Sequence, residues 1–108
     1  MLTEIVDIIR KEADKMGIKV EKIILFGSRA RGDYREDSDY DILVVTREKL
    51  PRRTLVIFKR RVRLAIYKVI RRPVDVVVAS REQWEKLSAL VGTVLYEASR
   101  EGITLWTT

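Results

Sequence analysis

Neither cysteine nor histidine occurs among the 108 residues of this chain. The first absence excludes disulfide staples and thiolate metal sites. The second excludes imidazole as a general base and removes most zinc chemistry. Any catalysis must then use carboxylates, hydroxyls, amines or metal-bound water. Long apolar runs are missing too, far short of the roughly 20 residues that span a bilayer. Met1 to Arg10 mixes apolar residues with Glu4 and Asp7 and does not resemble a signal peptide. These absences lead to the expectation of a cytoplasmic protein with no membrane contact. Charge, by contrast, is plentiful: 22 Lys/Arg against 16 Asp/Glu give a net +6 and a pI near 9.8. That balance favours a polyanionic or acidic partner. The length fits one domain over residues 1–108, large enough to bury a core without staples.

Periodicity gives the element order. Ile5, Ile8, Ile9, Ala13 and Met16 recur at helical steps, and Gly17 follows where a helix would end. Val20 to Phe26 and Tyr40 to Thr46 are apolar and β-branched and predict largely buried strands. From Thr54 to Ile70 the spacing sets Leu55, Phe58, Val62, Ala65, Ile66 and Val69 on one helical face. Pro73 interrupts, and Val74 to Ala79 predicts a third strand. Ser80 and Gln83 have the form of a capping box opening a helical stretch from about Arg81 to Arg100, with a break near Gly92. Ile103 to Trp106 suits a short further strand. Strands alternating with helices indicate a two-layer α/β (α+β) domain with a small mixed sheet flanked by helices.

Three features carry chemistry. Gly27-Ser28-Arg29-Ala30-Arg31-Gly32 follows a buried strand, where glycine lets backbone N–H groups approach a phosphate. It is not a P-loop, because Asp33 and Tyr34 stand where Lys and Ser/Thr should follow the second glycine. Nor is it a dinucleotide fingerprint, since Arg29 takes the place of the second glycine. A tight strand-to-helix turn would leave the same pattern. Asp39 and Asp41, two apart at a strand start, project from one face and can converge on a cation, with Tyr40 pointing away. Such hard oxygen ligands suit Mg²⁺ or Mn²⁺. Solvated turn acids beside Asp33, Glu36 and Asp37 are the plainer alternative. Asp75 is the only charge inside Val74 to Ala79, where an unpaired charge in a core strand would be costly. Were its strand next to Tyr40 to Thr46, it would join Asp39 and Asp41 in a three-carboxylate cluster of the kind two-metal phosphoryl or nucleotidyl transfer requires. An edge position paired with an arginine would also account for it.

Gly27-Ser28, ten residues, then Asp39-Tyr40-Asp41-Ile42 and a downstream strand Asp75 together resemble the Gly-Ser…Asp-x-Asp pattern of the DNA polymerase β-like nucleotidyltransferase superfamily. The compact length is similar to its minimal nucleotidyltransferases. The resemblance implies an NTP substrate whose triphosphate sits on Gly27 and Ser28, where Arg29 and Arg31 would either assist or stand as plain surface charges. It implies Mg²⁺ on Asp39, Asp41 and Asp75, with Asp75 also activating the attacking hydroxyl. It further implies AMP transfer from ATP to a hydroxyl of a partner protein, a helical HEPN-domain protein for which the chain is the antitoxin, and hence a hetero-oligomer. Open alternatives are a catalytically weak antitoxin that acts by binding, or transfer to RNA or a small molecule.

Lys49 to Arg72 holds ten Lys/Arg and no acid. It can be a solvated helix face, a surface for an acidic protein, or a non-specific RNA contact, although Phe58 and Tyr67 are its only aromatic residues. Trp84 and Trp106 are expected as core or interface anchors.

Overall fold

The computed structural model describes residues 1–108. Helix α1 (Leu2–Lys15) leads into strand β1 (Val20–Phe26), a single-turn helix α2 (Ser28–Arg31) and strand β2 (Tyr40–Thr46). The long helix α3 (Arg52–Ile70) then crosses to strand β3 (Val74–Ser80). Helices α4 (Arg81–Leu87) and α5 (Val94–Glu101) precede strand β4 (Ile103–Thr107). The four strands form one mixed sheet in the order β3-β2-β1-β4. β1 is antiparallel to both β2 and β4, whereas β2 and β3 are parallel, as the α3 crossover requires. No helix is long and apolar enough to cross a membrane.

The period-two alternation of the strands sorts their side chains into two cores. Ile23, Leu25, Ile42, Val44 and Val76 pack with Ile5 and Ile9 of α1 and with Phe58, Val62 and Ile66 of α3. Ile24, Phe26, Leu43, Val45 and Ala79 face the other way, onto Leu95 and Ala98 of α5. Phe58, Ile5, Ile9 and Ile66 have no exposed surface, and burying each contributes about 1.5–3 kcal/mol. Trp84 packs against the second core and Trp106 against the first, each half-buried, in keeping with anchor roles.

The expected break near Gly92 is present, and it and two differences from the sequence reading have local causes. The helical stretch from Arg81 divides into two helices, because Thr93 caps α5 by accepting from the Tyr96 N–H while also donating to the carbonyls of Leu87 and Leu90. Gly92 lies in that break with φ 95°. Val69 is 54% exposed although its helical phase points inward, since it stands in the last turn of α3. β3 is an edge strand and Asp75 is exposed on it. Asp75 is therefore not a charge buried in a core strand, and water can solvate it. The capping box is present as read: Ser80 accepts from the Gln83 N–H and the Gln83 side chain accepts from Ser80.

Candidate active site

Register brings the sequence-predicted acids together. Asp41 is opposite Phe26 on β1, one residue before Gly27, and opposite Asp75 on β3. Asp41 and Asp75 therefore sit side by side on the sheet face that carries the second core. Asp39 stands just before β2 and is exposed; Asp41 is half-buried. Tyr40 turns to the opposite face, where it is 8% exposed and packs with the first core.

Gly27 adopts φ 74° and ψ −160°, a conformation open essentially to glycine alone. Its Cα lies so close to Asp41 that a Cβ added there would meet the carboxylate. Glycine is thus required twice, by the backbone turn and by the acid seated against it. The turn continues into α2, where the Gly27 carbonyl accepts from the N–H groups of Ala30 and Arg31. Ser28 is the first residue of that helix.

Burial, first, and then the charges of Asp75 and Asp39 push the Asp41 carboxyl upward from its ordinary value, with Arg31 acting in the opposite direction. The Asp41 carboxylate is thus held against the charges of its two neighbours, a repulsion that a bound cation would relieve. No three acidic side chains are arranged to hold a metal ion by themselves. Mg²⁺ typically binds one or two carboxylates and completes its shell with water and substrate phosphates, so an ion here would need oxygens beyond these side chains. The donor set of hard oxygens beside a glycine turn fits Mg²⁺ carrying a triphosphate.

Arg29 was expected to touch phosphate, and the structure gives its guanidinium another task. Nε donates to the Ser38 carbonyl at 3.0 Å, Nη2 to the Glu36 carbonyl at 3.1 Å and Nη1 to the Tyr40 hydroxyl at 3.4 Å. The group lies 4.6 Å from the centroid of Tyr34 and 4.2 Å from that of Tyr40. Arg29 therefore ties the loop that delivers Asp39 to the turn that holds Gly27. Sequence reasoning missed this clamp; its signal was the recurrence of Tyr34 and Tyr40 around the acids after Arg29. Arg31 bridges Asp33 at 3.3 Å and Glu101 at 3.1 Å, tying α2 to α5.

With this geometry in place, the comparison with known families is decisive: residues 5–98 match the model of the nucleotidyltransferase domain. The chain belongs to that family. A provisionally named protein adenylyltransferase of Methanocaldococcus jannaschii is 70% identical over 27 residues, 25% of this chain and 27% of its own length. The matched segments of the curated relatives span from 27% to 52% of those proteins. Among solved structures, a mutant of the toxin–antitoxin complex MntA–HpeT aligns over 100% of this chain and 74% of its own, with TM-score 0.65 at 21% identity. A Shewanella oneidensis complex of tri-AMPylated HEPN toxin with MNT antitoxin aligns over 99% and 70%, with TM-score 0.58 at 18% identity. These likenesses establish that the nucleotidyltransferase domain shares their fold. The family and the small mixed sheet are those the Gly-Ser and Asp-x-Asp spacing led us to expect.

Proposed function

We propose that this nucleotidyltransferase domain transfers AMP from ATP, with Mg²⁺, to a hydroxyl of a helical HEPN-domain protein, for which it serves as antitoxin. The observation that carries the reading is the seating of Asp41 between Gly27 and Asp75. It sets the glycine turn, the Asp41 carboxylate and Asp75 side by side, which supports reading them as triphosphate turn, metal ligand and proton acceptor. In this reading Gly27 and Ser28 receive the triphosphate, and Asp39, Asp41 and Asp75 share the metal ions, no ion taking all three, with phosphate and water oxygens completing each shell. When bound, the ions neutralise phosphate charge and lower the pKa of the acceptor hydroxyl. The acceptor oxygen forms a bond to the α-phosphorus, the bond to the bridging oxygen breaks, and pyrophosphate leaves. Asp75, exposed on the edge strand, takes the hydroxyl proton. Arg29 holds Asp39 in place. The protein acceptor and the antitoxin role are supported by the relative named as an adenylyltransferase and by the solved complex that contains an AMPylated toxin.

The test is incubation with labelled ATP, Mg²⁺ and the HEPN-domain protein of the same organism, comparing wild type with Asp39→Asn/Asp41→Asn. Label on the acceptor that disappears in the double variant supports transfer. Neutralisation of the toxin that survives in the double variant, with no labelling by wild type, would instead mean that the chain acts by contact.

A further inference from the structure

The positive charge of this protein is concentrated in one segment. Lys49 to Arg72 carries ten basic and no acidic residues, while the remaining residues carry twelve basic and sixteen acidic ones and are net negative. Of the ten, only Arg61 has a carboxylate within 4.0 Å. The face of α3 turned away from Phe58, Val62 and Ile66 is also apolar, with Val56 49%, Ile57 43%, Leu64 55% and Tyr67 47% exposed. Arg60 and Arg63 interleave with these side chains. A groove of about 270 Å³ runs from this face to the start of β3, lined by Arg60, Arg63, Leu64, Tyr67, Pro73 and Val74.

We infer that the outer face of α3, with its groove, is a docking exosite for a protein partner whose contacting segment surrounds apolar residues with acidic ones. The inference rests on the reading that the acceptor is a protein. Val74 packs with the first core, so the groove lies on the sheet face opposite Asp41 and Asp75. A partner held there leaves the carboxylates open, and its acceptor segment reaches them around the β3 edge. Such a site raises the local concentration of acceptor without entering the chemistry. Charge complementarity selects the occupant. A second copy of the chain would set ten positive charges against ten, which is repulsive. RNA would use the arginines but not aliphatic side chains, and Tyr67 is the one aromatic residue on this face. A membrane surface calls for apolar and basic residues on separate faces, and here they alternate. An acidic, amphipathic protein segment uses both.

The experiment measures labelled AMP transfer from ATP to the HEPN-domain protein of the same organism, with acceptor concentration varied. Leu64→Ser/Tyr67→Ser and Arg60→Glu/Arg63→Glu are compared with wild type. Each should raise KM for the acceptor by about tenfold or more, with kcat and the ATP-dependent rise in Tm unchanged. A 20-mer of oligo(U) and phosphatidylglycerol/phosphatidylcholine vesicles should not displace the acceptor. Unchanged KM in both variants overturns the exosite while transfer stands. RNA or vesicles that bind more tightly than the acceptor, and are lost in the variants, overturn it as well. If wild type transfers no label, sedimentation of the two proteins decides. Binding weakened by both variants keeps the exosite and removes the transfer reading, and no binding removes both.

Discussion

Gly27 is where backbone and chemistry meet most tightly. Its φ of 74° and ψ of −160°, together with the Asp41 carboxylate against its Cα, leave no room for a side chain. Gly27→Ala should cost on the order of 1–3 kcal/mol of stability from the backbone conformation and should displace Asp41. The expected outcome is a lower urea midpoint together with loss of label transfer; wild-type values for both would disprove the packing described. Asp41 makes the opposite case. Its carboxyl is disfavoured by burial and by the charges of Asp75 and Asp39. Asp41→Asn should therefore raise Tm by a few degrees when divalent cations are absent, while abolishing transfer. Differential scanning calorimetry with chelator present, set beside the labelling assay, checks both halves. The acids were legible as types at a spacing, because Asp39 and Asp41 must share a face in any strand. The role of Arg29 was not, since the acceptors that Ser38, Glu36 and Tyr40 offer its three donors depend on how the intervening loop folds back.

Between elements, the α1–α3 contact contains the one buried acid. Glu12 on α1 has a side chain 11% exposed, accepts from Arg61 Nε of α3 at 2.8 Å and lies 3.3 Å from Lys15 Nζ. Burial alone would raise its pKa, yet the hydrogen bonds from Arg61 and Lys15 and their charges outweigh it and hold the carboxyl below its ordinary value. A folded-state pKa below the unfolded one means that Glu12 contributes stability above its ordinary value. That contribution is lost as pH falls through the lowered one. Glu12→Gln should cost about 1–2 kcal/mol near neutrality. The gap in urea midpoint between variant and wild type should close in acid; a gap that persists once the pH lies below the lowered value would contradict this assignment. Which strands exist was readable from β-branched runs. Which strand stands at the edge was not, because strand order depends on how α3 crosses over and where β4 adds. Asp75 shows the consequence: it lies beside Asp41, as expected were the two strands neighbours, but the edge position removes the burial that would demand a reason for its charge. The break between α4 and α5 was readable at Gly92, but the cap that fixes it, the Thr93 hydroxyl bonding backward to Leu87 and Leu90, was not, because periodicity cannot register it.

Across the whole molecule the uneven charge has a thermodynamic signature separate from any partner. In α3, Lys59 and Arg60 each face Arg63 at spacings of four and three residues, with no acid in the helix to separate them. Each like-charge pair costs about 0.2–0.5 kcal/mol in low salt. The Debye length shrinks from about 10 Å at 0.1 M to about 3 Å at 1 M, so added sodium chloride should stabilise the fold by screening this repulsion. Arg63→Glu turns both pairs into attractive ones on an exposed face. It should therefore raise Tm by a few degrees at low ionic strength, given the ~4–8 °C per kcal/mol expected for a domain of this size. The same screening acts on the new attraction with opposite sign, so the two melting curves should converge as salt increases. Melting in parallel from 0.05 M to about 1 M, with the offset constant, would mean that the variant acts through packing of the arginine stem and that α3 carries no electrostatic strain. Convergence would show that the fold tolerates repulsion along this helix, a cost that acidic side chains of a docked partner would relieve.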